Sequence, residues 1–89
     1  MSNHKWTEED DLMILFIHKY GIEKCPLTKQ ELADKISTSQ GSVNYRIGNF
    51  KAIEGIGNAT HYAKLSEYVH KKYYDLSENE LKKLAFTNI

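Results

Sequence analysis

The stretch from Ser37 to Phe50, STSQGSVNYRIGNF, decides the predicted fold. Its three opening residues are short and polar, so they interrupt the helix before them, and Ser39 is placed to cap a new one. A helix is predicted from Gln40 to about Lys51 because apolar residues recur there at helical spacing. These residues are Val43, Ile47 and Phe50. Two short helices joined by a tight polar turn form a helix-turn-helix.

Helix-start signals stand on both sides of this stretch. Thr28 and Ser77 are each followed by Glu at the third helical position, and each is flanked by Leu residues that can form a hydrophobic staple. They predict helices at about 29–36 and at 77 to about 85. The residues expected to face inward are Leu32, Ala33 and Ile36 in the earlier helix, and Leu81, Leu84 and Ala85 in the later one.

A weaker start signal stands near the N-terminus, where Thr7 precedes four acidic residues. These acids are Glu8, Glu9, Asp10 and Asp11. Acids in a first turn match the helix dipole, so they are predicted to be solvated and not to bind a metal. A broad apolar face follows and predicts a first helix that Gly21 ends.

The second half of the chain is predicted to add two helices. Residues 52–59 hold two glycines and an asparagine and are expected to form a turn or loop; whether 53–58 form a wing stays open. Tyr62, Leu65, Val69 and Tyr73 recur at helical spacing, which predicts a helix from about 60 to 74. The expected fold class is all-α, a single helix-turn-helix domain over residues 1–89 of Myb-like or winged type. It has about five helices, with a core at 6–52 and C-terminal helices at 60–86.

Composition limits the function. A chain of 89 residues makes one small domain. It has no apolar run of the roughly 20 residues that a membrane helix needs, no apolar secretory signal, and a single Cys25, so a cytoplasmic protein is expected. Its 12 basic and 12 acidic residues give zero formal charge, which argues against an indiscriminate polyanion binder. Residues 28–51 are the basic part, with four basic and two acidic side chains.

The outward side of the third predicted helix has an unusual composition. Tyr45 lies at its centre, with Gly41 and Gly48 on the same ridge. A glycine inside a helix costs about 1 kcal/mol relative to alanine, so two on one ridge need a reason. The missing side chains would let the backbone approach another surface, either a DNA major groove or a neighbouring helix.

The side chains around this ridge have the chemistry of DNA contact. Gln40 and Asn44 can pair with adenine, and serine hydroxyls can bond to base edges or phosphates. The predicted DNA contacts are Lys29, Lys35, Ser39, Gln40, Ser42, Asn44, Tyr45, Arg46, Asn49 and Lys51. For Arg46 a pairing with an acid is equally open, and for Asn49 a cap on the helix end. The candidate acids are Glu31, Asp34 and Glu54.

No catalytic or metal-binding arrangement is visible in the sequence. The four histidines and Cys25 have no metal-ligand spacing and no nucleophile pattern, so the histidines are predicted at the surface and no enzyme, cofactor or metal is expected. The histidines are His4, His18, His61 and His70. Tyr62 and Tyr73 are assigned to the core, whereas Tyr68 or Tyr74 could belong to a dimer contact or a surface that flanks DNA.

Two stretches resemble known families. Trp6-Thr7-Glu8-Glu9-Asp10, followed by an apolar helix, resembles the opening of Myb/SANT-type DNA-binding domains. A longer run, from WTEEDDLMILFIHKYG through KQELADKI to SQGSVNYRIGNFKAIEGIGNATHYAKLSEYVHKKYYDL, is similar to the N-terminal helix-turn-helix module of some bacterial HNH and restriction-type proteins. Its most specific part is SxGSVxxRIxNF. The resemblance implies DNA recognition, although this chain shows no nuclease segment.

The expected function is sequence-specific binding of double-stranded DNA, with the third helix in the major groove, by a small bacterial or phage regulator. A homodimer through the fourth or fifth helix stays open. The alternative is a protein-interaction module that keeps this fold and contacts a host or phage protein without binding DNA.

Overall fold

A computed structural model describes residues 4–57 and 60–87 of the chain, and this part is all-α. Its α-helices are α1 (Glu8–Tyr20), α2 (Lys29–Ile36), α3 (Gln40–Ile53), α4 (Lys64–Tyr73) and α5 (Glu78–Ala85). A short 3-10 helix, Ile22–Lys24, follows α1. The described residues contain no strand, and the predicted all-α class with five helices is confirmed.

The helix starts follow from local capping. Thr7, Thr28 and Ser77 each accept a hydrogen bond from the third backbone N–H of their helix, and the acid at that position bonds back to the cap. Ser39 caps α3 through the backbone N–H of Ser42. Each cap satisfies a backbone donor that the helix itself leaves free and contributes about 1 kcal/mol. All four predicted caps are therefore confirmed.

The turn between α2 and α3 depends on a left-handed residue. Ser37 has a φ of 68°, a conformation that stops α2, and its N–H bonds back to the carbonyl of Asp34. The N–H of Thr38 likewise bonds to the carbonyl of Ala33. The chain is thus redirected within three residues, and α3 starts beside α2 as the helix-turn-helix prediction requires.

Helix α1 lies at the centre of the fold. All seven residues from Asp11 to Ile17 are buried, because α3, α4 and α5 pack around this helix. One hydrophobic core collects side chains from every α-helix. Its fully buried members include Phe16, Leu32, Val43, Phe50, Val69 and Leu81. Helices α4 and α5 are therefore part of the same core as the helix-turn-helix and do not form a separate C-terminal layer.

Four local predictions need correction. Helix α4 starts at Lys64 and not near residue 60, and α3 continues to Ile53. Tyr62 was expected in the core but is 41% exposed, since it precedes α4 in irregular backbone. Leu84 is 50% exposed, because α5 turns Leu81 and Ala85 toward α1.

The segment that was considered for a wing is short. Residues 54–57 form a turn and irregular backbone without a strand, and Ile56 is 50% exposed. Asn58 and Ala59, the end of the predicted loop, lie outside the described residues, as do residues 1–3 and 88–89 of the predicted domain.

A polar cluster joins the C-terminal end of α3 to α1 and α4. The Nε2 atoms of His18 and His70 lie 2.9 and 2.8 Å from the same carboxylate oxygen of Glu54. The His18 side chain is only 7% exposed and that of His70 19%, so the prediction of surface histidines is wrong for both. Both rings also stack against Phe50. This cluster fixes the end of α3 against its two neighbours.

Acid is expected to weaken this cluster. Burial alone would raise the pKa of Glu54, but the hydrogen bonds from His70 and His18 together outweigh it and hold the pKa below its usual value of 4.5. A carboxyl group with a lowered pKa stabilises the fold above the unfolded-state value and loses this contribution as the pH falls through the folded-state pKa. The stability difference between the protein and Glu54→Gln should therefore be present at pH 5 and shrink toward pH 3. Thermal unfolding of both across this range measures it, and a difference that grew on acidification would contradict the assignment.

Candidate nucleic-acid interface

The outward side of α3 is the exposed ridge that the helical spacing predicts. Tyr45 stands at its centre and is 80% exposed, the largest value among the exposed large hydrophobic side chains. The buried side of the same helix carries Val43 and Phe50 into the core. Most of the predicted contact residues are exposed around the ridge, namely Lys35, Ser39, Gln40, Asn44, Tyr45 and Lys51, while Lys29 and Ser42 are half-buried.

The two glycines on this ridge have no packing role inside the protein. A Cβ atom added to Gly48 would meet no atom within 4 Å. One added to Gly41 would meet only Ser39 Oγ, at an ordinary contact distance of 3.7 Å. Neither residue has a positive φ. The fold would accept alanine at both positions, so internal packing does not explain why glycine stands there.

Alanine at position 48 is expected to stabilise the protein. Gly48→Ala should raise the free energy of unfolding by about 0.5–1 kcal/mol, because alanine loses less backbone entropy in a helix and meets free space here. Urea unfolding of the two proteins measures the difference. Lower stability of the variant would show that an internal contact of α3 requires the glycine.

Exposed amide side chains bridge α2 and α3 beside the ridge. Lys29 Nζ donates to Asn44 Oδ1 at 2.7 Å. Gln40 Nε2 donates to Gln30 Oε1 at 2.6 Å, and Gln30 in turn donates to Asp34 at 2.9 Å. Exposed hydrogen bonds of this kind exchange with water at little cost. Gln40 and Asn44 can therefore exchange these internal hydrogen bonds for bonds to a partner.

Arg46 does not belong to this surface, and its predicted phosphate contact is corrected. Its residue exposure is 9%, and its Nε and Nη2 atoms donate to the two carboxylate oxygens of Asp11, both at 2.8 Å. The guanidinium carbon lies 4.6 Å from the centre of the Trp6 ring, and Ser66 Oγ donates to Asp11 at 3.2 Å. The structure thus favours the alternative of an acid partner, but that partner is none of the three acids considered from the sequence. Asp11, expected to be solvated, is fully buried.

Asn49 is the second predicted contact that the fold uses internally. It is 6% exposed, and its Nδ2 donates to the carbonyl of Tyr45 one turn earlier at 3.3 Å. Its Oδ1 accepts the backbone N–H of Ala63, the residue that precedes α4. The side chain therefore ties the segment before α4 to α3, and the prediction of a DNA contact is replaced by this link.

A cleft beside Tyr45 was not predicted from the sequence. It has a volume of about 230 Å³ and lies between α3 and the irregular segment before α4. It is lined by Tyr45, Arg46, Asn49, His61, Tyr62 and Ala63. No local sequence signal links these residues, because the segment 60–63 meets α3 through contacts between distant parts of the chain, such as the hydrogen bond from Ala63 N–H to Asn49 Oδ1. The cleft brings His61 and Tyr62 next to the predicted contact surface.

The electrostatics of the surface are less basic than the sequence count indicates. Residues 28–51 hold four basic side chains, but the charge of Arg46 is matched by Asp11 inside the fold. Lys29, Lys35 and Lys51 remain, with Glu31 and Asp34 on the same two helices. Contact with a polyanion would therefore rest on about three lysines.

The described part of the chain gives no sign of a metal centre or a membrane span. No group of three His, Cys, Asp or Glu side chains within it is arranged to hold a metal ion. None of its helices is long and apolar enough to cross a membrane. No protein family, curated protein or solved structure was found to match the chain. The family resemblances of the sequence stay predictions.

Proposed function

We propose that this protein binds double-stranded DNA sequence-specifically, with α3 in the major groove, and acts in the cytoplasm as a small regulator of bacterial or phage origin. The arrangement that supports the proposal is a helix-turn-helix whose second helix is exposed along one side. In such motifs the early residues of the second helix contact base edges. Here these residues are Ser39, Gln40, Ser42, Asn44 and Tyr45.

The observation that carries the proposal is the pair of glycines on the exposed ridge. Gly48, in the interior of α3, lowers helix stability by about 1 kcal/mol relative to alanine, and Gly41, in the first turn, by less. Neither serves a packing purpose within the fold. A purpose outside the fold is close approach of the backbone to another surface, as a groove wall requires. Gln40 and Asn44 lie beside the ridge, and the amide of each can donate to N7 of adenine and accept from its N6 amino group in the major groove.

The charge distribution limits how strongly salt should affect binding. Lys29, Lys35 and Lys51 are the cations placed to reach phosphates. Three phosphate contacts predict that log K falls with log salt concentration at a slope of about −2.7 per protein copy. A dimer, through exposed side chains of α4 or α5 such as Tyr68 or Leu84, would double this slope.

A second candidate function is a protein-interaction module, and the Asp11–Arg46 pair favours it. With Arg46 neutralised inside the fold, the outward side of α3 is nearly neutral, as suits a protein partner more than a polyanion. The same ridge of glycine and tyrosine would then receive a helix or loop of that partner. Salt separates the candidates, because only the DNA contact must weaken steeply with rising ionic strength.

The proposal is tested by selecting from a pool of random duplexes with the purified protein at about 100 mM salt, followed by a salt titration on any enriched site. An enriched motif with the expected slope supports sequence-specific DNA binding, and a palindromic motif adds the dimer. Failure to retain any duplex would reject the proposal and leave the protein-interaction candidate.

Two kinds of substitution should act differently on the enriched site. Asn44→Ala or Gln40→Ala should weaken binding by about 1–3 kcal/mol and relax the preference at one base position. Lys51→Ala should weaken all sequences alike and reduce the salt slope by about 1. Lys83→Ala is the control for the loss of one positive charge, because Lys83 lies on α5, a helix that packs on α1. Equal binding by all four variants would show that α3 is not the reading helix.

A further inference from the structure

The two amide side chains in the first turns of α3 are bonded to groups of opposite charge on α2. Asn44 Oδ1 accepts a hydrogen bond from Lys29 Nζ at 2.7 Å. Gln40 Nε2 donates to Gln30 Oε1 at 2.6 Å, and Gln30 Nε2 donates to Asp34 Oδ1 at 2.9 Å. The hydrogen bonds of one amide thus lead to a cation, and those of the other lead to an anion.

Each charged group fixes the direction of the amide that it reaches. An ammonium group can only donate hydrogen bonds, so Asn44 must turn its oxygen toward Lys29 and its NH2 group away. An ionised carboxylate can only accept, so Gln30 must present its NH2 group to Asp34 and its oxygen to Gln40. Gln40 therefore uses one N–H inside the protein and keeps its oxygen and its second N–H free. The two amides consequently offer different groups to a partner.

These directions gain weight when a partner excludes water from the surface. In the free protein, water replaces the amide bonds at little cost, but a charged group that loses both its water and its hydrogen-bond partner in an interface is costly. Lys29 lies half-buried beside α3. Its ammonium group has two further N–H groups, so it can contact a phosphate without releasing Asn44. A duplex docked on α3 therefore favours the arrangement in which Asn44 stays bonded to Lys29.

We propose that Asn44 contacts guanine and Gln40 contacts adenine, with Lys29 as the positioning residue that turns the Asn44 amide. The inference rests on the proposed DNA binding and deepens it by assigning the bases. Guanine presents two adjacent acceptors in the major groove, N7 and O6, which suit an outward NH2 group. Adenine presents the acceptor N7 beside the N6 amino donor, which suit the free N–H and oxygen of Gln40. Without the lysine, the Asn44 amide is free to turn over and pair with adenine as well.

The test starts from the duplex enriched by the unaltered protein, in which each base pair is then varied in turn. The position contacted by Asn44 is the one at which Asn44→Ala loses its preference, and the unaltered protein should prefer guanine over adenine there by about tenfold. Inosine should replace this guanine without loss, since it lacks only the minor-groove amino group. In Lys29→Met the ratio of guanine to adenine should fall below about twofold, while the position contacted by Gln40 keeps its preference for adenine.

Lys35→Met is the matched control, because it removes the same charge from an exposed position of the same helix. It should weaken binding to all sequences alike and keep the tenfold ratio. Lys29→Arg retains a cation that can only donate hydrogen bonds, so it should keep the ratio too. Thermal unfolding checks that the variants fold.

The outcomes separate this inference from the proposed function. An unchanged ratio of guanine to adenine in Lys29→Met would show that the lysine does not orient the amide. A preference of the unaltered protein for adenine at this position, or the lack of any position that Asn44→Ala relaxes, would also overturn the inference, although DNA binding would stand. If the unaltered protein retained no duplex, both proposals would fall together.

Discussion

Replacing Asp11 with alanine is expected to lower the free energy of unfolding by about 3–5 kcal/mol, because it leaves the Arg46 guanidinium buried without its carboxylate. Asp11 is fully buried and accepts hydrogen bonds from Arg46 on α3 and Ser66 on α4. Small domains are stable by only about 5–15 kcal/mol, so this single change removes a large part of the total. Urea unfolding followed by circular dichroism measures it.

Two further variants show whether the loss comes from the unpaired charge. Glu9→Ala removes an exposed acid from the same turn and should change stability by less than about 0.5 kcal/mol. Asp11→Leu combined with Arg46→Met removes both charges and should recover much of the loss, since buried ion pairs are often replaced by apolar residues without net cost. A loss below about 1 kcal/mol in Asp11→Ala would mean that the guanidinium finds water or another partner.

The second large effect is expected on α5. Leu81 is fully buried against α1, and Leu81→Ala should lower the free energy of unfolding by about 2–5 kcal/mol through lost burial and the cavity that remains. Leu84→Ala makes the same change three residues later, at a side chain that is 50% exposed, and should alter stability by less than about 0.5 kcal/mol. Thermal or urea unfolding of the pair measures both values under one set of conditions.

The comparison decides whether the C-terminal helix is part of the domain. A loss confined to Leu81→Ala, with one cooperative transition, would show that α5 unfolds together with the helix-turn-helix. Equal small effects of both substitutions would contradict the buried position of Leu81. A reversed order would mean that α5 turns its other side toward α1.

Local signals predicted the helices well where a side chain marks the boundary. Thr28 and Ser77 carry complete capping boxes within four residues of sequence, and both helices start where those boxes place them. Helix α4 has no such mark. Its cap position is Ala63, which offers no side-chain acceptor, and the backbone there is held by Asn49 from α3. Because the start of α4 is fixed by a residue 14 positions earlier, no local sequence pattern predicts it.

In the candidate site, too, features set by local sequence could be predicted and features set by distant residues could not. The exposure of Tyr45 follows from helical periodicity, because it lies opposite Val43, Ile47 and Phe50. The fate of Arg46 does not, because its partner lies 35 residues earlier in a run of four acids of which three are not buried. The helix-dipole argument applies equally to all four acids and gives no reason to single out Asp11. Only the packing of α3 and α4 around α1 selects Asp11 as the buried one.

The side chains through which α3 contacts the rest of the protein lie on one side of the helix. Val43, Arg46, Asn49 and Phe50 hold it in place, whereas the exposed positions 41, 44 and 45 and the half-buried Gly48 contribute little to the fold. Whatever α3 contacts can therefore change while the scaffold stays constant. A combinatorial library randomised at these outer positions should yield mostly folded proteins, and the domain becomes a frame on which new binding specificities can evolve or be selected.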